Sequence, residues 1–294
     1  MTPTSSAATP PVVLTRTIEL PNSGQHAVVV SLNRPDRLNC FNIEVVTQLS
    51  SAFRQIAQRT SLAQRDRDGN VDGDDDTIAA VIFTGEGRSF CAGADLSDPP
   101  SPIDQASDLP HHLHNNPVYQ MSKVGVPIIG ALKGHVITGG FELALACDIL
   151  VGDKSTTFRD THVKFGLAPC WGLSQKLQRK VGPGRAKLIS LTARKVTALQ
   201  AYEWGLLDLV ASGESMSSFD RAMQVADEIA ANDATMVQRY KRAIEEGGAT
   251  DLAKGLQRER ELGIAHYIEA VGDGKTFQSA KKFIGDESRP RSKL

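Results

Sequence analysis

The chain has 294 residues, with 33 Lys and Arg against 34 Asp and Glu and 40% hydrophobic residues, enough for one large α/β domain or two smaller ones. A formal charge of −1 excludes a global field for a nucleic-acid backbone or an anionic membrane, so any anion site must be local. Cys40, Cys91, Cys147 and Cys170 lack a CxxC spacing, which argues for free thiols over a disulfide framework or a zinc site, and no apolar run approaches a bilayer span.

Residues 1–11, MTPTSSAATPP, carry neither the basic start and apolar stretch of a secretory signal nor the arginines of a transit peptide. Residues 1–15 are read as a disordered tail. The β-branched run 27–33, closed by Asn33-Arg34-Pro35, predicts a buried strand. Val46, Leu49, Phe53 and Ile56 follow at helical spacing. Buried strands are expected at 78–84, 128–132 and 148–151, with a short helix over 141–147 opened by Gly139-Gly140. Strands alternating with helices imply a layered α/β core. Beyond about residue 172 strand signals stop, and helices are predicted over 173–181, 185–191, 198–204, 219–231, 235–246, 251–270 and 276–284.

Two segments invite a metal reading. Asp68, Asn70, Asp72 and Gly73 fit positions 1, 3, 5 and 6 of a calcium loop, but position 12 is Ala79 where a bidentate Glu is needed, so 65–76 reads as a solvated acidic loop. His111, His112 and His114 have no Cys, Glu or further His at a recognisable spacing, and a solvent-facing segment is expected there. No metal is predicted. The chain closes on Ser292-Lys293-Leu294, a tripeptide read by the peroxisomal import receptor, which predicts a peroxisomal protein.

Chemistry is expected at two small-residue segments that follow predicted strands, 89–96 (SFCAGADL) and 134–142 (GHVITGGFE). Small residues let backbone N–H groups approach a ligand, and two such groups aimed at one point form an oxyanion hole. Glu142, three residues after Gly139, would lie beside that point. Glycine-rich strand ends also serve simply as turns, so spacing alone leaves both readings open. No GxxxxGK[ST], GxGxxG or GxSxG pattern occurs.

Segments 32–39 (LNRPDRLN), 90–96 (FCAGADL), 129–149 (IGALKGHVITGGFELALACDI) and 197–208 (TALQAYEWGLLD) resemble the successive signatures of the crotonase, or enoyl-CoA hydratase/isomerase, superfamily. The resemblance runs from about residue 28 to 283, with Thr138 standing where the family has a small Gly or Ala. It implies an α/β core of spirally repeated ββα units over 16–195, a helical trimerisation region over 196–285 and a tail over 286–294. It also implies an acyl-CoA substrate, with no cofactor beyond the CoA of that substrate, and a trimer or dimer of trimers.

Mapped onto this chain, the resemblance makes the Ala94 and Gly139 N–H groups the oxyanion donors. Cys91, Ala92, Gly93, Asp95, Leu96 and Gly140 would border the substrate, and Arg37, Lys281 and Lys282 would meet CoA phosphates, the last two with Phe277 from the part that packs on a neighbouring subunit. Glu142 matches the first catalytic glutamate of the hydratases; His162 stands at the second, and Cys170 where dienoyl-CoA isomerases carry an acid. Three readings follow: a hydratase using Glu142 and His162, an isomerase using Glu142 alone, or an inert His162 in the pocket wall. Asp160 is a fallback acid, expected to cap a loop or helix. The implied activity is hydration or isomerisation of a 2-enoyl- or 3-enoyl-CoA, with a dienoyl-CoA isomerase, a thioester hydrolase or a tailoring enzyme for specialised acyl chains as alternatives. Outside catalysis stands an RNA-binding or non-catalytic member. The RNA reading expects a basic stripe on the first helix, and residues 42–59 offer only Glu44, Arg54 and Arg59 as charges.

Overall fold

The computed structural model describes residues 10–61, 77–98, 113–212 and 216–272. The acidic loop 65–76, His111, His112, Phe277, Lys281, Lys282, the predicted helix 276–284 and the tripeptide 292–294 lie outside them. Two compact units divide the chain after Gln238.

The first unit is built on a six-stranded sheet in the order β1-β2-β3-β4-β6-β9. Its strands are β1 (Val13–Glu19), β2 (His26–Leu32), β3 (Ile78–Gly85), β4 (Ile128–Leu132), β6 (Ile149–Gly152) and β9 (Leu209–Val210). Only β1 and β2 pair antiparallel; the remaining neighbours are parallel. All eight residues of β3 are buried, as a parallel strand covered on both faces requires. The period of two divides them: Val81 and Phe83 join Val28 and Val30 in one core, whereas Ala80 and Ile82 join Val29, Ile129 and Val151 in another.

Helix α1 (Ile43–Arg59) covers the first core with Val46, Leu49, Phe53 and Ile56, the residues its periodicity singled out. Asn42 caps it by accepting the Val45 N–H at 3.2 Å. Phe53, Phe83 and Phe90 meet edge to face, with centroids 5.4 and 5.1 Å apart. After α2 (Pro117–Met121) and β4 comes a three-stranded sheet, β5 (His135–Ile137), β7 (Thr157–Arg159) and β8 (Lys195–Thr197), in the order β5-β7-β8. Helix α3 (Gly139–Ala144) follows β5, and α4 (His162–Phe165) follows β7. Helices α5 (Leu173–Val181), α6 (Pro183–Thr192), α7 (Ala198–Glu203) and α8 (Ser218–Ala230) complete the unit, with the first part of α9 (Ala234–Gly248).

Three expectations change. A strand begins at Val13, inside the predicted tail, because seven consecutive residues pair with β2. Strands β8 and β9 lie beyond residue 172; at three and two residues they are too short to show a period. The core also extends past residue 195, since Ala222, Val225, Ala226 and Ala230 of α8 fill the second core. The compact division therefore falls at 238/239 rather than 195/196.

The second unit holds the rest of α9 and α10 (Leu252–Gly272). Within it Arg258 pairs with Glu246, and Tyr240, Ile244, Leu256 and Ile264 are exposed. No helix among the described residues is long and apolar enough to cross a membrane.

Candidate active site

The two expected oxyanion donors flank one aromatic residue. Phe41 and Ala94 form a parallel bridge in which Phe41 N–H donates to Gly93 C=O and Asp95 N–H donates to Phe41 C=O, each at 2.9 Å. Successive N–H groups on extended chain alternate in direction, so the Ala94 N–H is turned to the opposite edge. Gly139 packs on the ring of Phe41: a Cβ there would come within 2.5 Å of Cζ. Gly139 and Gly140 also open α3, where the first N–H groups have no carbonyl to reach within the helix.

The segment carrying Ala94 is clamped. Arg34 donates to Asp95 Oδ2 at 3.0 Å and to Cys40 C=O at 2.6 Å, and Asp95 Oδ1 accepts the Ser97 hydroxyl at 2.6 Å. The Ser97 hydroxyl, opposed by burial and aided by the Ser97 amide and Arg34, holds the Asp95 carboxyl at about 2.

Thr138, just before Gly139, has φ 51° and ψ −110°, a strained region for a β-branched residue. Its Oγ1 accepts the Thr161 N–H at 3.0 Å and shares a hydrogen bond with the Thr161 hydroxyl. The residue before the oxyanion donor is thereby tied to the residue before His162.

Glu142 sits on the first turn of α3, buried at 3% exposure. Its Oε1 accepts the N–H groups of Trp171 at 2.8 Å and Leu173 at 3.3 Å. Its Oε2 faces His162 Nε2 at 3.8 Å, too long for a hydrogen bond. One oxygen atom of a bound reactant placed between them would reach both. Burial pushes the Glu142 carboxyl up despite the two amides and His162. The Trp171 ring stacks on Phe41 with centroids 5.0 Å apart, so the segment that holds Glu142 also packs on the residue between the two donors.

His162 begins α4, which Gly166 ends in a left-handed conformation at φ 64°. Its Nδ1 lies 2.7 Å from Asp160 Oδ1, and the same oxygen accepts the His162 backbone N–H at 3.1 Å. Asp160 therefore caps the turn, as expected, and also touches the ring. Burial pushes the Asp160 carboxyl up, but hydrogen bonds from the His162 ring, Ser190 and the His162 amide outweigh it and hold it below its ordinary value. An ionised carboxylate can only accept, so Nδ1 carries the proton and Nε2 faces Glu142.

A cavity of about 470 Å³ is lined by Arg37, Cys40, residues 92–97, Ile137, Thr138, Arg159 and Thr161, with Phe165 and Leu167 on the apolar wall; Glu142 and His162 do not line it, but Thr138 and Thr161, which are tied to each other, do. The expected border residues Ala92, Gly93, Ala94, Asp95 and Leu96 all line it. Cys91, Gly139 and Gly140 do not: Cys91 is buried, its N–H and C=O pair with His135 and Ile137, its thiol donates to Asn39 C=O at 3.1 Å, and burial pushes that thiol up to about 12. Gly140 is packed so closely beneath Cys91 that a Cβ would lie 2.4 Å from the Cys91 oxygen. Cys170 is exposed. Among the described residues no group of three or more His, Cys, Asp or Glu is placed to hold a metal ion. Sequence reading missed Phe41, Trp171 and the Thr138–Thr161 tie, whose roles depend on contacts between distant segments.

The sequence and the fold are similar to those of known proteins. The model of the family described as enoyl-CoA hydratase/isomerase matches residues 70–283. A relative named probable enoyl-CoA hydratase 1, peroxisomal, from Arabidopsis thaliana is 37% identical over 269 residues, covering 90% of this chain and 92% of its own. The 1,2-epoxyphenylacetyl-CoA isomerase of Escherichia coli is 32% identical over 238 residues, covering 80% and 84%. Among solved structures, an enoyl-CoA hydratase subunit from Geobacillus kaustophilus superposes with a TM-score of 0.74 at 25% identity, over 92% of this chain and 95% of that one. With the family model spanning most of the chain and these relatives covering nearly all of it, the chain belongs to the enoyl-CoA hydratase/isomerase family of the crotonase superfamily.

Proposed function

We propose that the protein hydrates 2-enoyl-CoA thioesters, with Ala94 and Gly139 N–H groups holding the thioester oxygen and Glu142 and His162 as the acid–base pair. The observation that carries this is the buried Glu142 carboxylate, one oxygen pinned by two amides and the other 3.8 Å from an imidazole nitrogen. Water attacks Cβ, its proton passes to Glu142, and the alkene electron pair moves onto the thioester oxygen as an enolate. The proton on Glu142 passes to His162 Nε2, and the enolate collapses as Cα takes that proton from the imidazolium. The sum is addition of one water molecule. Arg37, on the cavity, is the cation for the CoA phosphates.

A second reading, double-bond migration in a 3-enoyl-CoA, needs one base to carry a proton between carbons. The family description, hydratase/isomerase, and the upward push on the Glu142 carboxyl favour including it in the test. Wild type, Glu142→Gln and His162→Ala are assayed on both substrates. Hydration removes the conjugated absorbance of a 2-enoyl-CoA, and isomerisation of a 3-enoyl-CoA creates it. Glu142→Gln is expected to lower both by about 10³-fold, and His162→Ala to lower hydration by at least about 10²-fold. Full hydration by His162→Ala would leave Glu142 alone as the acid–base group; free CoA released from both substrates would make the protein a thioester hydrolase.

Peroxisomal import through Ser292-Lys293-Leu294 is part of the same proposal, supported by the name of the Arabidopsis relative. Self-association into trimers is supported by the exposed Tyr240, Ile244, Leu256 and Ile264.

A further inference from the structure

Asp160 has no assigned part in the chemistry, yet its carboxylate is only 2% exposed and touches the imidazole that faces Glu142. A purely structural cap needs one acceptor for the His162 amide, and that bond, at 3.1 Å, is the longer of the two on the same oxygen. The ring contact is 2.7 Å. Ser190, on the helix α6 that packs against α4, also helps hold that carboxyl below its ordinary value. The turn is also anchored at its middle residue, since Thr161 is tied to Thr138. Residues from two other segments, Ser190 and Thr138, therefore hold the Asp-Thr-His turn. The ionisable groups in contact with the ring are Asp160, from the end of β7, and Glu142, from α3.

We propose that Asp160 is a positioning residue that fixes His162 in one tautomer and one orientation, so that Nε2 is the nitrogen presented beside Glu142. This rests on the reading of His162 as the second acid–base group. A neutral imidazole held this way offers a lone pair at Nε2 to receive the proton from Glu142, and the adjoining carboxylate favours the imidazolium that then donates to Cα. Without Asp160 the ring can flip or shift its proton to Nε2, and the return of the proton fails.

The test is steady-state hydration of a short 2-enoyl-CoA by Asp160→Asn, Ser190→Ala, His162→Gln and the Asp160→Asn/His162→Gln double variant. Asp160→Asn is expected to lower kcat by about 10–100-fold with KM changed by less than about 3-fold. Ser190→Ala leaves the buried carboxylate in place and should lower kcat, again with KM little changed, by a smaller amount; it carries the test should Asp160→Asn not fold. In the double variant Asp160→Asn should add nothing to the His162→Gln loss. An unchanged kcat in both Asp160→Asn and Ser190→Ala, or independent losses in the double variant, overturns the proposal while leaving His162 as an acid–base group. Full hydration by His162→Gln would instead overturn the reading of the site itself.

Discussion

The two halves of the site are made of different material. In the proposed mechanism the oxyanion half would use backbone N–H groups of Ala94 and Gly139, and its accuracy would depend on shape: a phenyl ring against a glycine and a clamped loop. The proton-transfer half would use the side chains of Glu142, His162 and Asp160, each at most 6% exposed, and its accuracy would depend on charge and hydrogen bonds. The first half should tolerate changes of charge but not of volume; the second should tolerate little change of charge. That difference can be broken in several ways.

The largest expected effect is the separation of activity from stability at Glu142. Burial raises its pKa in the fold, so the ionised carboxylate opposes folding. The sign follows: relative stability is greatest where the group is protonated in both states and is lost as pH rises through the raised folded value. Glu142→Gln keeps an acceptor for the Trp171 and Leu173 amides and carries no charge. It should therefore lose about 10³-fold in activity while its thermal midpoint, relative to wild type, climbs as pH rises. A variant less stable than wild type at every pH would show that the amide bonds outweigh desolvation.

In the oxyanion half the corresponding change is one of volume. Gly139→Ala places a Cβ 2.5 Å from the Phe41 ring, so either the ring or the donor must move. Loss of one oxyanion donor lowers kcat by about 10²–10³-fold. Phe41→Ala in the same chain opens the space and should restore part of that loss, judged by kcat of the double variant against Gly139→Ala alone. Wild-type kcat in Gly139→Ala would remove Gly139 from the oxyanion hole.

These contrasts explain how much was legible in the sequence. Glu142, Gly139 and Ala94 lie in segments that the family resemblance singles out where spacing alone leaves their role open, and buried strands such as β3 show as apolar runs. Helix α1 was legible because its four apolar residues fill one face. Short strands were not: β5, β7, β8 and β9 have two or three paired residues each, and their stability comes from neighbours far away in the chain. The same holds for Trp171, whose amide reaches Glu142 across 29 positions, and for Asp160, whose ring contact depends on how the turn folds.

The clamp on the Ala94 loop is a place where charge serves the shape-dependent half. Asp95 titrates at about 2 in the fold against about 4 for an unperturbed aspartate. Its lowered value means that its contribution is present above about pH 4 and is lost as pH falls from about 4 to about 2. Asp95→Asn should lower kcat by about 10-fold by loosening the loop, and its stability should fall less steeply than wild type across that acid window. An unchanged acid limb in urea denaturation would show that Arg34 and Ser97 do not hold the carboxylate in solution.

The smallest expected effect decides how the halves are joined. Thr138 holds φ 51° in a region that costs a β-branched residue about 1–3 kcal/mol, and its hydroxyl bonds to Thr161 offset that by about 1 kcal/mol each. Thr138→Val keeps the branch and the strain but loses the hydroxyl, so it should be destabilised by about 1–2 kcal/mol. Thr138→Gly loses the same bonds but also sheds the strain, and its stability should lie within about 1 kcal/mol of wild type. Urea denaturation of the two variants separates these terms. If the tie also couples the halves, Thr138→Gly, although nearly as stable as wild type, should show a lower kcat, because Gly139 and His162 are then free to shift independently. Equal stability of the two variants would mean that the backbone at position 138 relaxes when the hydroxyl is removed, and that the Thr138–Thr161 tie itself creates the strain.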